Sequence, residues 1–181
     1  MDPITQLEQL GPHLGGVVGR LTPDQLDAPT PCAELTVEGV LDHMIAGATA
    51  FAAAYRGEAP AETDEPAERD PLAAFGPALG DLVAAITAPG ALDRTIATPF
   101  GELDGTTFAR YVVLDGLVHG WDLATATGQP YAPPDELVAE ADACARQLIE
   151  PLRDGRTFAA AVEPAADAPP LERLANFTGR R

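Results

Sequence analysis

Apolar residues recur every three to four positions along most of the chain, which is the spacing of amphipathic helices. The pattern predicts helices over about residues 3–21, 37–55, 71–87, 106–127 and 134–151, and a short helical turn over 171–177. Thr36 is the predicted N-cap of the second helix, and Gly128 is the glycine expected after the fourth. Asp70 followed by Pro71 is typical of a helix start. The sequence therefore indicates an all-α bundle.

The segments between the predicted helices are rich in proline and acidic residues. Residues 57–68 have no apolar period, so we expect a solvated loop there. Residues 89–105 are compatible with a short hairpin, but a plain loop is favoured. A chain of 181 residues can bury about 70% of its unfolded surface, so we expect one domain over residues 1–181 that folds without a metal.

The fourth predicted helix is unusual because three polar side chains stand in an otherwise apolar segment. Asp115, His119 and Asp122 fall within roughly 60° of one another on one face, at about 100° per residue. The other positions are apolar nearly all round, so we expect this helix inside the core. Burying an unpaired charge costs several kcal/mol or more. This face therefore needs a basic side chain, an internal hydrogen bond or a metal ion.

A metal site is one interpretation of this face. Asp115 and His119 have the i,i+4 spacing that brings Cβ atoms to about 5–6 Å, close enough to share an ion. His43 is the other histidine expected in a helix core, since His13 falls where the first helix is half exposed. It would complete a set of two histidines and one carboxylate. The alternative is an Asp115–His119 hydrogen bond with His43 as a core histidine, and spacing alone leaves both open.

Asp122 and the two cysteines are the remaining candidates near this face. Asp122 is either an acceptor that orients the His119 imidazole or a helix-end charge near solvent. Cys32 lies four residues before the predicted cap Thr36, and His43 lies seven residues beyond that cap, about 10 Å along the helix axis. We therefore expect Cys32 to pack in the loop before the second helix and not to bind the same ion. Cys144 lies on an apolar stripe and is expected in the core.

Composition narrows the classes of partner. With 28 acidic against 11 basic residues the formal net charge is -17, which repels nucleic acid backbones and anionic membrane surfaces. The low cysteine usage, with no signal-like start and no apolar run of transmembrane length, favours a reducing cytoplasm. We therefore expect a cytoplasmic protein that acts on small molecules, and a homodimer remains open.

Three segments of the chain resemble one known family. They are residues 30–43 (TPCAELTVEGVLDH), 118–129 (VHGWDLATATGQ) and 167–179 (DAPPLERLANFTG). These segments are similar to the metal-binding domain of mycothiol-dependent maleylpyruvate isomerases and their actinobacterial relatives, within the DinB/YfiT-like superfamily. That family is a four-helix bundle whose divalent ion, usually zinc, is held by a histidine on the second helix and a carboxylate-x-x-x-His pair on a later one. The resemblance implies that His43, Asp115 and His119 are the metal ligands here.

The resemblance also implies a function and its partners. Mycothiol would be the thiol cosubstrate, and the protein would be a thiol-dependent transferase or isomerase acting on a small electrophile. A bound ion would lower the pKa of the thiol, so that thiolate is available at neutral pH. A non-catalytic, stress-associated metal- or ligand-binding bundle and a metal-dependent hydrolase are the alternatives. A site closed by a fourth protein ligand would favour the non-catalytic bundle.

Overall fold

The computed structural model describes residues 1–32, 35–58, 70–98, 101–153 and 158–181 of the chain. Its α-helices are α1 (Pro3–Val18), α2 (Val37–Arg56), α3 (Pro71–Ile86), α4 (Gly105–Thr127), α5 (Asp135–Leu148) and α6 (Pro170–Phe177). Two short strands, β1 (Thr95–Thr98) and β2 (Gly101–Asp104), lie between α3 and α4. The predicted all-α bundle with additional short helices is confirmed.

Both ends of α2 and of α4 have a local cause in the sequence. The Thr36 side chain accepts a hydrogen bond from a first-turn amide of α2, and Asp104 does the same for α4. Each helix ends at a glycine in the left-handed region, Gly57 with φ 75° and Gly128 with φ 66°. The two helices that contain the candidate ligands therefore have their lengths fixed by their own caps.

Two elements differ from the sequence prediction. α1 ends at Val18, earlier than predicted, because Gly19 begins a tight turn in which the next two amides bond to carbonyls three residues back. Between α3 and α4, where the sequence favours a loop, β1 and β2 pair antiparallel, with Thr95 opposite Asp104. The loop predicted over residues 57–68 lies outside the described residues apart from its first two positions.

The first four helices pack as two pairs. α1 lies against α4 and α2 lies against α3, and a contact between α2 and α4 joins the two pairs. Most side chains of α4 are buried, as its apolar sequence predicts. α5 packs on α4 and contributes the buried Cys144 predicted for the core, and α6 packs on α5. No described helix combines the length and the apolar character needed to cross a membrane.

Aromatic contacts set α2 antiparallel to α4. Phe51 packs edge-on against Phe108 with ring centroids 4.9 Å apart, and Tyr55 stacks on Phe108 at 5.5 Å. The buried Tyr55 hydroxyl donates a hydrogen bond of 2.6 Å to the carbonyl of Gly105, at the start of α4. Because the helices run in opposite directions from this point, His43 in the first half of α2 lies opposite the middle of α4.

We predict that Tyr55→Phe lowers the free energy of unfolding by about 1 kcal/mol, because the bond to Gly105 is lost while the ring packing stays. Urea denaturation followed by circular dichroism measures the change. Tyr131→Phe is the matched control, since the Tyr131 hydroxyl is buried without a hydrogen-bond partner among the described residues. Its removal should leave stability unchanged or raise it. Equal losses in the two variants would show that the Tyr55 hydrogen bond contributes nothing.

Candidate functional site

His43, Asp115 and His119 meet between α2 and α4. Each offers one ligand atom, and these atoms lie within 4.8 Å of one another. The Asp115 Oδ1 atom is 3.9 Å from His43 Nε2 and 3.6 Å from His119 Nε2. The two imidazole ring centroids are 4.8 Å apart. One carboxylate oxygen therefore faces both imidazoles, and the role of the three residues as metal ligands stays a prediction.

Burial increases across this cluster from His43 to His119. The exposed fraction of the side chain is 52% for His43, 22% for Asp115 and 5% for His119. The expectation that His43 is a core histidine is therefore wrong. The buried face of α2 runs through Val40 and Met44, and His43 stands beside that face rather than on it. The cluster is consequently open to solvent at His43 and closed at His119.

The charges of the cluster stabilise one another. The facing Asp115 carboxylate raises the pKa of His43 above its ordinary value, although partial burial opposes this shift. Burial raises the pKa of Asp115, but the imidazoles of His119 and His43 outweigh that effect, and the net pKa lies below the ordinary value. Asp115 is therefore ionised at neutral pH and available as an anionic ligand.

Asp122 and Arg180 hold His119 from the other side of its ring. Asp122 is fully buried, and its Oδ2 atom is 3.0 Å from His119 Nδ1. Arg180 donates to the same carboxylate, with Nη2 3.1 Å from Oδ2 and Nε 3.4 Å from Oδ1. The carboxylate beside Nδ1 orients the ring so that Nε2 faces Asp115. Asp122 thus has the position of an orienting acceptor and not of a solvent-exposed helix-end charge.

Arg180 is the residue of this site that the sequence interpretation missed. It lies 58 residues from Asp122 along the chain, and only 9% of it is exposed. Gly179 permits the approach, because its φ is 97° and a Cβ atom there would lie 2.8 Å from the Ala159 Cβ. The sequence contains two signals that could have identified Arg180. A buried Asp122 carboxylate needs a cation, and two arginines follow residues 167–179.

Cys32 lies close to His119 and Asp122, which the sequence interpretation did not predict. Its Sγ atom and the ligand atoms of His119 and Asp122 lie within 4.8 Å of one another. An isolated β-bridge pairs Pro29 with Thr36 on either side of Cys32. The close approach of Sγ is to His119 and Asp122, whereas the group formed by His43, Asp115 and His119 does not include it. Burial raises the pKa of the Cys32 thiol, and Arg180 Nη2 lies 3.6 Å from Sγ. The Arg180 guanidinium therefore already supplies a positive charge beside Cys32 and Asp122.

Comparison with known proteins identifies relatives of the chain. The sequence model of the family described as "Mycothiol maleylpyruvate isomerase N-terminal domain" matches residues 7–124, which include all three members of the cluster. Uncharacterized protein MT0763 and Uncharacterized protein Rv0738, from two strains of Mycobacterium tuberculosis, are each 33% identical to it, covering 99% of this chain and 98% of the relative. No solved structure matches the chain.

We predict that Arg180→Gln lowers the free energy of unfolding by about 3–5 kcal/mol, because it leaves the Asp122 carboxylate buried without its cation. Urea denaturation measures the change. Arg181→Gln is the matched control, since it removes the same charge at the next, exposed position, and it should cost less than about 0.5 kcal/mol. A small loss in both variants would mean that the Asp122–Arg180 pair does not stabilise the fold.

Proposed function

Since the chain belongs to the mycothiol maleylpyruvate isomerase N-terminal domain family, we propose that it binds a divalent metal ion, zinc or a similar ion, through His43, Asp115 and His119. The convergence of these three side chains is the observation that supports the proposal most directly. Two imidazoles and one carboxylate are typical of sites for zinc and other first-row metals that keep coordination positions open.

The donor distances fit one ion after a small inward movement. Ligand atoms bound to a single ion at about 2.0–2.2 Å are separated from one another by about 3.0–3.5 Å. The present separations from Asp115 Oδ1 are 3.6 Å to His119 and 3.9 Å to His43. The half-exposed His43 side chain has room to close this difference. His119 is already held by Asp122 with Nε2 facing the cluster.

An ion bound there would supply the Lewis acidity that brings the pKa of a coordinated thiol or water toward neutrality. The residues of the chain prepare the position for that chemistry. Asp122 and Arg180 fix the orientation of His119, and the exposed side of His43 leaves space for a small molecule to approach from solvent. Cys32 is nearby but contacts Arg180. This arrangement supports a site with an exchangeable position rather than one closed by a fourth protein ligand.

On this proposal the protein is a cytoplasmic, thiol-dependent transferase or isomerase, with mycothiol as the thiol and a small electrophile as the substrate. The thiol proton goes to solvent, and the sulfur attacks an electrophilic carbon. In a transfer, the S–C bond forms as the leaving group departs with its bonding electron pair. In an isomerisation, the sulfur adds to a double bond, the resulting single bond rotates, and the thiolate leaves with the S–C electron pair. The family description, which names both mycothiol and an isomerase, supports this choice.

Metal binding should depend on the cluster, and the fold should not depend on the metal. His119→Ala and His43→Ala should abolish zinc binding and keep most of the helical circular dichroism signal, because the core is large enough to fold alone. Mass spectrometry of protein purified without chelator or nickel resin measures the metal content. His13→Ala is the matched control and should keep its zinc. Zinc retained in His119→Ala, or helicity lost on chelation, would rule out the proposed catalytic site.

Cobalt substitution tests the thiol step. Titration with mycothiol, and then with simpler thiols, should add a sulfur-to-metal charge-transfer band at neutral pH, because the thiolate enters an open coordination position. The band should be absent in His43→Ala and present in His13→Ala. If no thiol perturbs the cobalt spectrum at millimolar concentration while water exchange is detected, thiol chemistry is wrong. A hydrolytic or non-catalytic role then takes its place.

A further inference from the structure

An apolar cavity adjoins the cluster of His43, Asp115 and His119. Its volume is about 50 Å³, it lies among α1, α2, α3 and α4, and Asp115 forms part of its wall. The remaining lining residues are apolar, and half-buried members such as Phe51 and Leu79 leave it partly open to solvent. The same carboxylate therefore faces the two imidazoles and borders an apolar space.

Small residues leave this space open. Gly11 of α1 lines the cavity, and a Cβ atom added there would meet no atom within 4 Å. Gly116 of α4 differs, because a Cβ atom there would lie 3.0 Å from Leu10 Cδ2, so a larger residue would need that side chain to shift. Ala48 of α2 lines the cavity beside Met44. The space beside Gly11 is therefore not filled by other side chains of the core.

The charge and the size of the cavity select its occupant. Among the described residues its lining contains no basic side chain, so an anion there would lose its hydration among apolar side chains without a partner, which is costly. A carboxylate or a phosphate is therefore disfavoured. A cavity of about 150 Å³ holds benzene, so one of about 50 Å³ is too small for a ring. It matches about three to four groups of methylene size, since one water-sized group takes about 10–15 Å³ of such a cavity volume.

We propose that this cavity holds the short, unbranched alkyl end of an uncharged electrophile, with the reacting carbon placed at the cluster. The inference rests on the proposed function and defines its substrate class. A thiolate attacks that carbon, the S–C bond forms, and a leaving group such as halide departs with its electron pair. A maleylpyruvate carboxylate inside the cavity would lie among apolar side chains, with no basic partner in the described lining.

Binding of the alkyl end is tested with 1-propanol as the uncharged probe and propanoate as the anionic probe. The full chain is titrated as purified and again after chelation, with the methyl resonances of leucine and valine observed by NMR. 1-Propanol should shift the methyl signals of Leu14 and Val112 saturably in both preparations, and propanoate should not. This readout needs neither metal nor thiol, so it succeeds or fails separately from the proposed function.

Filling the cavity should remove the binding. In Gly11→Leu and Ala48→Leu the affinity for 1-propanol should fall about tenfold or more, since each excluded methylene removes about a fourfold factor. Ala48→Leu is included because a side chain before Pro12 disfavours the helix at position 11. Gly15→Leu is the matched control, as Gly15 lies exposed on the same helix outside the lining and its Cβ would meet no atom within 4 Å.

Turnover links the cavity to the reaction. Thiol-dependent conversion of 1-iodopropane should exceed that of 3-iodopropanoate, and it should fall about tenfold in the filled variants. Their zinc content should stay that of the wild type. Absence of a saturable 1-propanol shift, or a shift that survives in both filled variants, overturns the alkyl site whatever the metal and thiol experiments show. Unchanged turnover in variants that no longer bind 1-propanol overturns its role in substrate binding.

Discussion

Burial of the Asp122 carboxylate is the constraint on which the site depends. α4 is apolar nearly all round, so this charge is neutralised inside the fold and not by water. Arg180 provides the opposite charge, and His119 provides a further donor. Because Arg180 follows α6, the same ion pair attaches the last part of the chain to α4. The orientation of His119 and the path of the tail therefore have one physical cause.

The parts of this structure that have local causes could be predicted from the sequence. The start of α2 at the Thr36 cap and the spacing of Asp115 from His119 are of this kind. His43 is a candidate third ligand from its predicted helix position, and the resemblance to a known family implies the same residue. The exposure of His43 could not be predicted, because the rotation of α2 depends on its packing against α3 and α4. Arg180 and Cys32 approach the site through the tail and a folded loop, and no residue spacing encodes those paths.

Asp115 separates two environments that bind molecules by different forces. The cavity among the first four helices is apolar, whereas a second cavity that Asp115 lines also includes Tyr111, His119 and Arg180. Apolar contact is roughly proportional to area and tolerates rotation, whereas hydrogen bonds and charges require direction. A molecule that reaches both cavities would therefore be held in one orientation by its polar end. The size of the apolar cavity would limit the length of its apolar end.

The hydrogen bond between Tyr55 and Gly105 lies at the opposite end of the α2–α4 pair from His43. At 1.5 Å per residue, His43 and Asp115 are about 15–18 Å along their helices from this bond. A change of about 3° in the angle between α2 and α4 at that end would move His43 by about 1 Å relative to Asp115. That is comparable with the amount by which the 3.9 Å separation of His43 from Asp115 exceeds the spacing of about 3.0–3.5 Å expected around one ion. On the proposed metal-binding role, the spacing of the three side chains is thus adjustable by substitutions in the aromatic contacts at the other end of the helix pair, without any change to His43, Asp115 or His119.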